Sequence, residues 1–135
     1  MICRLSLAVL ASACCAPAEA QSCRASLPGA EELESASYIV AFRTVPEKVA
    51  VAQHFSVQFA VCPKRPGVVP EAVAVDAQMP EHRHGMNYKP SISKTGPTHY
   101  QAAGLMFHMP GRWDLEFEVG SGGVSERLTR SIVLR

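Results

Sequence analysis

Between Trp113 and Val119 every second residue is large and apolar. Trp113, Leu115, Phe117 and Val119 alternate with Asp114, Glu116 and Glu118. That period fits a half-buried β-strand and cannot form the continuous apolar stripe of a helix. Phe55, Val57, Phe59 and Val61 alternate in the same way. Further strands are expected at Tyr38–Val45, Val69–Gln78, Tyr100–Met109 and Arg127–Leu134, with a short extended piece over His82–Tyr88. Turn formers separate them: Pro46-Glu47-Lys48, the Pro63 to Gly67 segment, and Gly120-Ser121-Gly122-Gly123. Met109-Pro110-Gly111-Arg112 suits a type II turn leading into the Trp113 strand. Only Pro28–Ser37 has a helical look, and it is short. The expected fold is all-β, an immunoglobulin-like antiparallel β-sandwich of about seven strands. Trp113 heads the cleanest strand and is expected to anchor the core.

The first twenty residues are set apart. Arg4 precedes an uncharged stretch from Leu5 to Ala16, and Ala18-Glu19-Ala20 places small residues where a signal peptidase needs them. Residues 1–20 are expected to be a cleaved signal peptide, and 21–135 one periplasmic or secreted domain. Leu10-Ala11-Ser12-Ala13-Cys14 resembles a lipobox, with Ala11 where Leu is usual, so membrane attachment would require lipidation there. Cys3, Cys14 and Cys15 would leave with the signal. Cys23 and Cys62 remain, an even pair that reads as one disulfide in an exported domain.

The net charge of +1 supplies no basic surplus to neutralise a run of phosphates, so nucleic acid is not the expected partner. No GxSxG elbow and no HExxH helix is present, and Glu81 beside His82 is an ordinary pair; the domain is not expected to be an enzyme.

Methionine and histidine are unevenly placed. After residue 20 there are nine of them, and eight fall within 79–109: Met79, His82, His84, Met86, His99, Met106, His108 and Met109. Thioether suits Cu(I), and imidazole suits either copper oxidation state. His82, His84 and Met86 are two apart and would share one face of an extended backbone, with Gly85 permitting a bend. Leu105, Phe107 and Met109 have core parity, which turns Met106 and His108 the other way. His99, beside Tyr100, reads as a surface or loop residue, and His54, which begins a strand and has no companion in sequence, reads as structural. Met79 or Met86 with His82, His84 and His108 is the expected set for one copper ion.

Two blocks, Met79-Pro80-Glu81-His82-Arg83-His84-Gly85-Met86 and Phe107-His108-Met109-Pro110-Gly111-Arg112-Trp113, resemble the signatures of the YtkA-like family, small exported bacterial domains related in pattern to FixH-like proteins. The resemblance covers roughly Tyr38 to Leu134. It implies an immunoglobulin-like sandwich and a role in copper handling, as a copper carrier or an oxidase-assembly accessory with a partner protein in metal delivery. It carries Met79, His82, His84, Met86 and His108 over as the positions in question. Copper chaperones of the PCuAC type also use Met and His on a β-domain. This sequence has Met86 and His108 at a similar separation, lacks their upstream His-Met pair, and has Pro110 where a further Met would stand. The alternative expectation is an exported interaction module that docks a partner through a strand edge and needs no metal.

Overall fold

The structure of the protein, a computed structural model, describes residues 23–135. The expected signal peptide, with Cys3, Cys14 and Cys15, lies outside these residues. After a 3-10 turn, Cys23–Ser26, nine strands follow among the described residues: β1 (Glu31–Glu34), β2 (Tyr38–Val45), β3 (His54–Pro63), β4 (Ala72–Met79), β5 (His84–Gly85), β6 (Ser91–Lys94), β7 (His99–Met106), β8 (Gly111–Ser121) and β9 (Val124–Leu134). Every pairing is antiparallel, in one sheet of order β1-β2-β3-β7-β6 and one of order β5-β4-β8-β9. The fold is the expected two-sheet sandwich. Among the described residues no helix is long and apolar enough to cross a membrane.

The alternating runs form the core. Trp113, Leu115, Phe117 and Val119 are buried against Phe55, Val57, Phe59 and Val61 of the other sheet. Aromatic contacts bridge the sheets: Phe117 meets Phe42 at 5.0 Å and Phe59 at 5.5 Å between ring centroids. Trp113 stacks on Phe107 at 4.9 Å. Its indole Nε1–H donates to the Met109 carbonyl at 3.0 Å, so the one polar atom of the ring is satisfied inside the core.

Several element boundaries differ from the sequence expectation. Residues 28–37 form no helix; β1 lies in them and takes its backbone partners from β2, from Glu31↔Phe42 to Glu34↔Ile39. So short a segment gains more from an existing edge than from nucleating a helix. β4 begins after Pro70, which has no N–H to give, and the Glu71 N–H already donates to the Gly120 carbonyl. β7 ends at Met106 rather than Met109, because residues 107–110 carry the chain from one sheet to the other. β6, which has little apolar pattern, is an edge strand on β7.

One irregularity sets the parity of the site. The β3–β7 register passes from Val57↔Ala102 to Phe55↔Leu105, so β7 holds one extra residue there. Gly104 takes a φ of +87° at that bulge, a conformation costly for any residue with a Cβ. The bulge returns Leu105 and Phe107 to the core after Ala102.

Cys23 and Cys62 form the expected disulfide, with Cα atoms 5.8 Å apart. It seats the N-terminal 3-10 turn on β3, where Leu27, Ala30, Ala41 and Ala60 make a small second core.

Candidate metal centre

The β4–β5 hairpin builds one wall of the site. Met79 pairs with His84 and Gln78 with Gly85, leaving residues 80–83 as the loop. The loop closes on the Met79 carbonyl, which accepts from the His82 N–H at 3.1 Å and the Arg83 N–H at 2.8 Å. Arg83 takes a φ of +55°. The expected extended run over His82–Tyr88 is therefore corrected: His82 sits in a turn, and only His84–Gly85 is strand. The turn nonetheless brings the two imidazoles to 5.9 Å between centroids. Gly85 serves space rather than bending. A Cβ there would stand 2.9 Å from the Gln78 side-chain amide and 3.2 Å from the Ala77 carbonyl oxygen.

The crossover between the sheets builds the other wall. His108 follows Phe107, which is locked in the core, and its ring stacks on His84 at 5.2 Å. Trp113 closes the floor, edge-on to His108 at 5.2 Å and to His84 at 6.0 Å. The cluster of His82, His84 and His108 thus lies at one end of the sandwich, graded from exposed His82 to half-buried His84 and His108.

Hydrogen bonding assigns chemistry to two of these rings. His84 Nδ1 lies 3.0 Å from the Gly85 carbonyl oxygen. A carbonyl only accepts, so Nδ1 carries the proton and Nε2 keeps its lone pair for a ligand. His108 Nδ1 is buried and has no hydrogen-bond partner among the described residues. Leaving a buried imidazole nitrogen unsatisfied costs about 1–3 kcal/mol, and a cation would satisfy it. Two imidazoles on one ion, each at a metal–nitrogen distance of about 2.0 Å in tetrahedral geometry, have ring centroids about 5 Å apart. The His84–His108 spacing fits that figure. Among the described residues no three His, Cys, Asp or Glu side chains already converge on one ion position, so a third ligand must be Met or must come from rotation of exposed His82.

The methionines divide. Met79 lies opposite His84 in the ladder and shares its face, but it is fully buried and its methyl group is packed against Gly111. Met86 is half-buried, with its N–H donating to the Ala77 carbonyl. Met109 packs on the core. Glu81, beside His82, is engaged with Arg112 at 3.2 Å, and Arg112 also reaches Asp114 at 3.6 Å. His99, expected at the surface or in a loop, instead begins β7 and is half-buried: its Nε2 bonds the Ser26 carbonyl at 3.0 Å and its Nδ1 lies 3.3 Å from the Thr98 hydroxyl. His54 does have companions. Its ring meets Tyr88 edge-on at 5.3 Å, and Met106 lies opposite it across β3 and β7. Sequence spacing could not show these contacts, since the residues are 34 and 52 positions from His54.

No family model and no curated protein matches this chain. Among solved structures it is similar to a DUF4426 family protein from Pseudomonas aeruginosa PAO1, with a TM-score of 0.54 over 79% of this chain and 95% of that one. The two are 10% identical, so the likeness concerns the fold alone.

Proposed function

We propose that this protein is an exported copper-binding domain, a copper carrier or oxidase-assembly accessory of the kind its YtkA-like signature blocks imply. One observation carries the reading: a half-buried His84–His108 pair in which His108 Nδ1 has no partner among the described residues and His84 Nε2 is turned away from the Gly85 carbonyl bond and open to a ligand. Copper is the cargo here. His84 and His108 hold it, His82 closes on it from the exposed turn, and Met86 supplies the thioether that suits Cu(I). The Gly85 carbonyl fixes the His84 tautomer. An ion held at the end of the sandwich, under an exposed turn, stays open to exchange with a partner protein. The Cys23–Cys62 disulfide supports an oxidising compartment.

The test is a copper titration of the purified protein, competed with a chelator of known affinity. Wild type is expected to bind one ion at this cluster. His84→Ala and His108→Ala are each expected to weaken that binding at least tenfold. Binding by wild type no tighter than that of the double variant H84A/H108A sinks the copper reading. The alternative is then the interaction module, for which β9 is the available feature: an edge strand of 11 residues with Val124 and Val133 exposed.

A further inference from the structure

His54 and Met106 lie directly opposite each other in the β3–β7 ladder. Their neighbours Phe55 and Leu105 are both buried in the core, so strand alternation turns His54 and Met106 together to the outer face. His54 is exposed there and Met106 half-buried. Tyr88, itself 47% exposed, sets its ring edge-on against the His54 imidazole. We propose that His54 and Met106, walled by Tyr88, form a second site for a soft monovalent cation, Cu(I), separate from the His84–His108 cluster.

The donor chemistry selects the ion. One imidazole and one thioether are a soft pair, and the three residues include no carboxylate to favour a hard divalent cation. Residues directly opposite in an antiparallel ladder have Cβ atoms about 4.5–5.5 Å apart. That spacing lets an imidazole nitrogen at about 2.0 Å and a sulfur at about 2.3 Å reach one ion. Methionine in a strand ordinarily fills core, but Met106 is on the wrong face for that.

Two segments join this site to the first cluster. Met106-Phe107-His108 places a residue in each, and so does Met86-Asn87-Tyr88. Residues two apart have Cα atoms no more than about 7 Å from each other. The Ala52 N–H donates to the Phe107 carbonyl at 2.8 Å and extends the β3–β7 pairing past Met106, which holds that segment in place. A use in loading or unloading the first cluster rests on the copper reading above; binding of the ion does not.

The experiment is an NMR titration of the purified protein, labelled at methionine methyl groups, with Ag(I) as a stand-in for Cu(I) that does not change oxidation state. Two equivalents are expected, one shifting the His84 and His108 rings and the other shifting His54 and the Met106 methyl together. His54→Ala and Met106→Leu should each lower affinity for the second equivalent at least tenfold and leave the first unchanged. Because both side chains face outward, amide dispersion should confirm that the variants fold. The double variant H84A/H108A should keep the Met106 shift. Shifts at His84 and His108 alone, up to excess silver, overturn the second site and leave the first standing. Shifts at His54 and Met106 alone uphold the second site and count against the first. Retention of both equivalents by H54A/M106L also overturns it.

Discussion

The imidazoles of His84 and His108 approach to 5.2 Å between centroids with 30° between their planes, although one belongs to a two-residue edge strand and the other to the crossover between sheets. Trp113 stands edge-on to both. The site therefore rests on a core residue. Phe107 stacks on the same tryptophan at 4.9 Å and anchors the chain one residue before His108.

Trp113→Ala should cost about 3–5 kcal/mol, because it opens a cavity beneath Phe107 and leaves the Met109 carbonyl without its donor. Trp113→Phe keeps the stack and loses the hydrogen bond, and should cost less. Denaturant midpoints of the two variants check the order. A Trp113→Ala midpoint equal to wild type contradicts the burial on which the site stands.

Gly111→Ala should destabilise by about 1–3 kcal/mol. Gly111 has a φ of +123°, and a Cβ there would stand 2.7 Å from the Met79 methyl. Two causes are separable. Met79→Ala in the same chain removes the clash and leaves the backbone strain, so the Gly111→Ala penalty should shrink without vanishing. Thermal melts of the four chains in that cycle measure it. Full additivity shows that the two residues do not meet.

Much of this arrangement was legible in the residues themselves. Period-two alternation identified the two central runs and the core side of Leu105 and Phe107, because a one-residue slip in a half-buried strand would expose the whole apolar set. The even pair Cys23 and Cys62 was legible for a similar reason, since two cysteines left in a domain expected to be exported read as one bridge. His84 and His108 were picked out by residue type, and the fold brings them together. Turn geometry was not legible. His82 leaves the strand because residues 80–83 close on the Met79 carbonyl, a choice made by backbone bonding that side-chain spacing does not report. β1 and β6 were missed because edge strands need little apolar pattern. The company of His54 depended on register across β3 and β7, which no local pattern encodes.

Glu126 joins the end of the second sheet to the β1–β2 turn. The Ser35 hydroxyl, then the hydroxyl and backbone N–H of Ser37, hold its carboxyl below the usual 4.5, with Lys64 adding a smaller pull. The Ser37 N–H donates to it at 3.0 Å. A carboxylate depressed in the folded state stabilises above its unfolded value, and that contribution is lost as pH falls through the lower folded value. Glu126→Gln should therefore be less stable than wild type at pH 7, and the difference should shrink as pH falls below 4.5. Melting temperatures of both proteins from pH 7 to pH 3 give the answer. A gap that stays constant across that range means the carboxylate charge contributes nothing.

Copper binding at the His84–His108 cluster should weaken on acidification, because a protonated imidazole has no lone pair to offer. Trp113 is the sole tryptophan and sits 5.2 Å from His108 and 6.0 Å from His84, so Cu(II) bound there should quench its fluorescence. Quenching titrations at descending pH should require progressively more copper, and protons should be released on binding in the acidic range. His108→Ala should abolish the saturable quenching, since it removes the ligand nearest the indole. His99→Ala should leave it unchanged, because that ring is already bonded to Ser26 at the other sheet. His82→Ala should weaken it less than His84→Ala does. His82 is exposed on a turn and must be drawn in, whereas the half-buried His84 has its tautomer fixed in advance by the Gly85 carbonyl. Equal loss for the two variants would show that the turn is as well placed for the ion as the strand. Quenching that persists in His84→Ala and His108→Ala alike would place the copper away from Trp113 and from the stack.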